Sequence, residues 1–202
     1  MKLIWIISLA SVIGLAGLGC SDFLEREPKN MLYPDTYYNS EKNLEAALTG
    51  VYSTLGDTYL YGNNYVVGLG NDADESYYFR STYTYGPVIY NHTASDAGVS
   101  NLWTILYKGI GRANLLLYKL PQAEVEEKVK ERIKGEALFL RGYFYFLLVQ
   151  TFGSVPLVLE PTLVPENMSV PQSSPADVYA QILKDMKMAE GLVFTLNDVN
   201  HA

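Results

Sequence analysis

The sequence predicts a mainly helical protein, built of antiparallel helix pairs, with one long tyrosine-rich loop inserted between the first and second helices. Two observations carry that prediction. Four stretches repeat apolar residues at spacings of three and four, the signature of one buried helix face. Between the first two stretches, Gly56 to about Gly98 has no helical period, is rich in Gly, Asn and Asp, and holds eight of the seventeen tyrosines.

The first helix places Leu44, Ala47, Leu48, Val51 and Leu55 on one side, with Ser40 as its cap. The second is expected from about Ser100 to Leu120, with Leu102, Ile105, Leu106, Ile110, Ala113, Leu116 and Leu117 inward and Pro121 ending it. The third is expected from near Glu124 to Phe152, through Val125, Val129, Ile133, Ala137, Leu140, Phe144 and Leu148, with Gly153 as terminator. Val155 to Leu159 is short, apolar and followed by proline-rich sequence, so it is expected to be extended or irregular. A fourth helix follows Ser174 and Pro175, an N-cap with proline in the first turn, and buries Val178, Ile182, Met186, Ala189 and Leu192 or Val193. Such pairs resemble tetratricopeptide-type stacking, without its strict repeat consensus. The polar stretch Asn197 to Ala202 leaves the last helix without a partner, so the chain is expected to be an N-terminal fragment of a larger fold.

The N-terminus carries a different message. One basic residue, Lys2, precedes an apolar run from Leu3 to Leu18, the shape of a removable export signal over residues 1–19. The run falls short of the roughly 20 residues that span a bilayer core, and no basic stop-transfer cluster follows it. Gly17-Leu18-Gly19-Cys20 then resembles a bacterial lipobox, although Gly17 stands where that pattern carries Leu. Cys20 is the only cysteine, which excludes a disulfide framework and makes it the expected site of lipidation. Stable anchoring needs more than one acyl chain, at about 0.8 kcal/mol per buried CH₂. Residues 20–39 read as a tether with Asp22, Glu25 and Glu27, and residues 40–202 as the helical domain. The formal charge is −7, and loss of Lys2 with the leader makes it one more negative, which argues against nucleic acid as a partner.

Several segments, in order, resemble the SusD/RagB-like nutrient-uptake lipoproteins of Gram-negative bacteria. They are Cys20-Ser21-Asp22-Phe23-Leu24, Ala46 through Tyr52, Asp74-Glu75, and Trp103 through Ile110 with Ala113-Asn114. The most distinctive are Gly135 through Phe144 and Phe152-Gly153-Ser154-Val155-Pro156-Leu157, completed by Val178-Tyr179, Ile182, Asp185 and Ala189-Glu190. The resemblance covers essentially the whole chain, although family members are more than twice as long. It implies a non-catalytic glycan-binding lipoprotein on the outer face of the outer membrane. It also implies a partner, a SusC-like TonB-dependent transporter that receives the captured oligosaccharide or other nutrient.

A saccharide offers apolar C–H faces fringed by hydroxyls, so its site needs flat aromatic surfaces beside planar hydrogen-bonding groups. Tyrosine supplies both. The expected contacts are Tyr77, Arg80, Tyr83, Tyr85, Tyr90 and Asn91 in the loop; the competing reading is that these tyrosines only pack the loop onto the helices. Asp72, Asp74 and Glu75 lack the spacing of a calcium loop, and no metal or cofactor is expected. Trp103 and Tyr107, four apart on a helix, are expected in the core. Glu136 and Arg141, five apart and not on one face, are expected to anchor neighbouring helices or loop carbonyls. With only two histidines, His92 and His201, and no phosphate loop, nothing marks an enzyme. The rival function is a helical-repeat scaffold that binds the transporter or another protein without touching glycan.

Overall fold

The computed structural model describes residues 37–63, 65–66, 91–161 and 169–193. All of them lie in one unit, Asp35–Ala202. The leader, Cys20, the segment before residue 37 and the polar end from Asn197 lie outside the described residues.

Helix α1 is Glu41–Tyr52, and Ser40 caps it by accepting the Asn43 N–H at 3.4 Å. Its buried residues are Leu44, Leu48 and Val51, the positions that the periodicity singles out. The chain then turns, with Thr54 nearly and Leu60 fully buried, at the entry to the expected tyrosine-rich loop, most of which lies outside the described residues.

Helix α2 is Ala97–Lys119. It begins three residues before the expected Ser100 because Asp96 caps it, its carboxylate accepting the Gly98 N–H at 2.7 Å. Pro121 does close it, inside a single 3₁₀ turn, Leu120–Gln122. Helix α3 is Glu127–Phe152, three residues shorter at its start than expected. The reason is visible in burial: Ala123 is buried, Glu124 exposed, Val125 half-buried and Glu126 exposed, a period of two that belongs to extended chain. Gly153 ends the helix at φ +71°, a conformation glycine adopts without the Cβ penalty.

Val155–Pro156 is strand β1, as expected of an extended segment; its partner β2, Gln172–Ser173, had no signal in the sequence. The two pair antiparallel, Val155 opposite Ser173 and Pro156 opposite Gln172. Helix α4 is Pro175–Glu190, with Ser174 Oγ accepting the Asp177 N–H at 3.2 Å.

Contacts fix the helix directions. Trp103 meets Phe152, Gly109 meets Phe144 and Asn114 meets Arg141, so α2 and α3 run antiparallel. Gly142 approaches Met186 and Gly135 approaches Val193, so α3 and α4 do too. Helix α3 is thus central, packed between α2 and α4 with α1 alongside. Its Leu138, Leu140, Phe144 and Leu147 are each at most 3% exposed, in agreement with their expected core role.

Candidate functional site

Of the residues expected to contact ligand, Tyr77, Arg80, Tyr83, Tyr85 and Tyr90 lie outside the described residues, as do Asp72, Asp74 and Glu75. Asn91 is described, is exposed, and stands five residues before the Asp96 cap of α2. What the structure gives is the frame at both ends of the tyrosine-rich segment.

At the entry, Arg112 of α2 reaches the end of α1. Its Nη1 donates to the Gly50 carbonyl at 2.7 Å, to Thr54 Oγ1 at 3.2 Å and to Ser53 Oγ at 3.3 Å. One guanidinium therefore satisfies a carbonyl that α1 leaves without a helical partner and fixes the turn that follows. Beyond it, Tyr61 and Tyr65 stack edge to face at 5.3 Å, and the Tyr61 and Tyr143 hydroxyls are hydrogen-bonded. Burial, then the Tyr143 contact, pushes the Tyr61 phenol well above its usual range. At the exit, the Thr93 and Ser95 hydroxyls bond to each other at 2.9 Å just ahead of the α2 cap.

Tyr143 also sits in an aromatic row along α3. Phe139 and Tyr143 have parallel rings 6.4 Å apart, and Tyr143 and Phe146 follow at 6.5 Å. The sequence reading overlooked this row. Its signal, aromatics at positions 139, 143 and 146, was open to view but lay beside the stronger apolar stripe of the same helix.

The residues expected to be structural prove to be so. Trp103 packs against Tyr107 at 4.9 Å and against Phe152 at 5.1 Å, while the Tyr107 hydroxyl donates to the Pro156 carbonyl at 2.7 Å. Burial raises the Tyr107 phenol. Glu136 accepts from the Tyr52 hydroxyl at 2.9 Å and from Arg132 at 2.8 Å, and Arg132 also pairs with Glu45. Arg141 is buried and holds Asp185 through two 2.8 Å bonds; it also reaches Asn114 Oδ1 at 3.0 Å and the Leu159 carbonyl at 3.3 Å. Asn114 in turn donates to the Val158 carbonyl at 2.8 Å, and the Tyr145 hydroxyl bonds both polar groups of the Val158 backbone. Short as β1 is, the chain beyond it gains side-chain partners in place of a ladder. Among the described residues, no three His, Cys, Asp or Glu side chains converge on a possible metal position, and no helix is long and apolar enough to cross a membrane.

Residues 22–197 match a family model described as SusD-like, starch-binding associating with outer membrane. A SusD-like protein, P25, of Formosa agariphila is 27% identical over 184 residues, 85% of this chain and 34% of that protein. Among solved structures, a SusD homologue from Bacteroides thetaiotaomicron superposes with a TM-score of 0.68 at 30% identity, over 79% of this chain and 31% of that one. A laminarin-binding SusD-like protein superposes with a TM-score of 0.60 at 28% identity, over 80% of this chain and 36% of that one. The chain thus spans about a third of the length of the relatives it matches. With the family model matched across nearly the whole chain and the helical order reproduced in solved relatives, the protein belongs to the SusD-like family.

Proposed function

We propose that this chain is part of a lipid-anchored, non-catalytic protein of the outer cell surface that captures oligosaccharides and passes them to a SusC-like TonB-dependent transporter. The observation that carries the reading is the family match over residues 22–197, described as starch-binding and outer-membrane associated. The laminarin-binding relative supports saccharide as the ligand class. Export and anchoring rest on the leader over residues 1–19 and on Cys20, followed by the tether over residues 20–39 and the helical domain from residue 40.

Within this chain, the tyrosine-rich segment is the proposed contact surface, through Tyr77, Arg80, Tyr83, Tyr85, Tyr90 and Asn91. Aromatic faces pack on the C–H faces of a pyranose, and Arg and Asn bond its hydroxyl fringe. Arg112 and the Asp96 cap hold the two ends of that segment on α1 and α2, which restricts where its tyrosines can reach. The test is binding of a panel of oligosaccharides to the protein carrying Tyr83→Ala, Tyr85→Ala and Tyr90→Ala, beside the unaltered form. A loss of tenfold or more is expected; undiminished affinity would remove these residues from the site. Hydrolysis of a bound oligosaccharide by pure protein would overturn the non-catalytic reading.

A further inference from the structure

Tyr61 and Tyr65 stand at the entry to the tyrosine-rich segment, on a turn whose backbone has little freedom. Leu60 is fully buried and plugs the turn into the core, while Tyr59 and Tyr61 on either side keep exposed surface, Tyr61 at 38%. The Tyr61 N–H donates to the Leu55 carbonyl at 3.2 Å, the Gly62 N–H to the Asp57 carbonyl at 3.0 Å and the Tyr65 N–H to the Leu60 carbonyl at 3.0 Å. A Cβ on Gly62 would lie 2.7 Å from the Asp57 carbonyl oxygen and 2.8 Å from that of Gly56, so the turn closes only on glycine. Two contacts then orient the rings. Tyr61 and Tyr65 meet edge to face, and the Tyr61 hydroxyl is bonded to that of Tyr143, 82 residues further along the chain. Tyr143 is fixed in turn by α3, whose next two residues, Phe144 and Tyr145, have no exposed surface.

We infer that Tyr61 and Tyr65 are themselves saccharide contacts and that Tyr143 is the residue that positions them. The inference rests on the saccharide reading proposed above and extends its contact surface onto a turn backed by the central helix. In a hydrogen bond between two phenols only one O–H is spent. The other O–H is left to donate, and both oxygens keep acceptor capacity, which is the mixture that a hydroxyl fringe requires. Burial first, and Tyr143 after it, raises both the Tyr61 and the Tyr65 phenol, so the two remain protonated donors across the neutral range. A ring fixed before the ligand arrives also loses less freedom on binding than one carried by a free loop. Packing alone does not account for the arrangement: Leu60 already fills the core, and the hydroxyl pair forms at the surface, where water would satisfy both groups.

The test compares the full chain with Tyr61→Ala, Tyr65→Ala, Tyr61→Phe, Tyr143→Phe and the Tyr61→Phe/Tyr143→Phe pair. The readouts are calorimetric affinity for oligosaccharides cut from starch and from laminarin, and the urea transition. Each alanine variant is expected to lose about fivefold or more in affinity. Tyr143→Phe keeps the ring and removes the hydroxyl, and is expected to lose about threefold with the fold retained. The pair should lose about as much as Tyr143→Phe alone, because both changes remove the same bond. Saccharide should also perturb the near-ultraviolet absorption of tyrosine, and Tyr61→Phe should lose part of that signal. Full affinity in both alanine variants of a chain that binds would overturn this inference and leave the saccharide reading standing. A Tyr143→Phe change that moves the urea midpoint but not the affinity would do the same, whereas failure of every oligosaccharide to bind the unaltered chain would overturn both.

Discussion

Two glycines of α2, Gly109 and Gly111, should respond to alanine with opposite signs. A Cβ on Gly109 would lie 2.6 Å from Phe144 Cε2 and within 2.9 Å of two further atoms of that ring. Ordinary carbon contacts are about 3.5–4.0 Å, so the ring must move by roughly 1 Å. Phe144 has no exposed surface and sits in the middle of the core, which leaves it little room. Overpacking of this kind costs about 1–3 kcal/mol, against a gain of about 1 kcal/mol from replacing glycine within a helix. The loss wins, and Gly109→Ala is expected to destabilise by up to about 2 kcal/mol. At Gly111, nothing lies within 4 Å of the added carbon and the residue is exposed, so only the helix gain of about 1 kcal/mol operates. Urea unfolding followed by circular dichroism should therefore separate the two variants by about 1–3 kcal/mol, on opposite sides of the parent. Adding Phe144→Leu should recover part of the Gly109→Ala loss, with a coupling energy on the order of 1 kcal/mol. Equal shifts at both glycines would show that the α2–α3 approach is looser than the distances state, and would refute the reasoning.

The remaining predictions concern polar groups and the anchor. Asp185→Ala leaves the buried Arg141 guanidinium without its bidentate partner and should cost about 3–5 kcal/mol, whereas joint replacement of both residues by apolar ones of similar volume should cost far less; comparison of urea midpoints checks this. Burial pushes the Tyr145 phenol from 10.0 up to about 12. Because the folded value is the higher one, the stabilisation is complete below pH 10 and is lost as pH rises from 10 toward 12; a Tyr145→Phe variant should show a shallower alkaline decline in its urea midpoint over that window. Cys20→Ala should leave the protein unlipidated, and unchanged mass with unchanged membrane fractionation would contradict the anchor.

Helix existence was legible because burial and period coincide. Leu44, Leu48 and Val51 in α1, and Val178, Ile182 and Ala189 in α4, are buried at the spacings that mark them in the sequence. The boundaries slipped where a cap or an extended turn lay outside the apolar stripe. Asp96 is a good cap but stands six residues ahead of Leu102, the first buried residue of α2, so the periodic signal starts too late. Ahead of α3, Val125 belongs to extended chain, yet its spacing of four from Val129 also fits a helix. Strand β2 had no signal because two residues cannot establish a period.

The functional residues divide along a similar line. Composition indicates what a loop can do chemically, and the tyrosines between Tyr59 and Tyr90 point to aromatic contact with a hydroxyl-rich ligand. It does not say where each ring stands, because a segment without a period has no register that assigns residues to one face. The Gly135–Phe144 stretch presents the opposite case. Each of its distinctive positions has a packing role: Gly135 and Gly142 admit α4, Leu138, Leu140 and Phe144 fill the core, and Arg141 ties α3 to α2, α4 and the chain beyond β1. Phe139 is exposed, and its ring lies parallel to that of the half-buried Tyr143. The motif that makes the family recognisable therefore carries the architecture. Differences in saccharide preference between relatives should follow differences in the tyrosine-rich segment, whose two ends this same architecture holds in place.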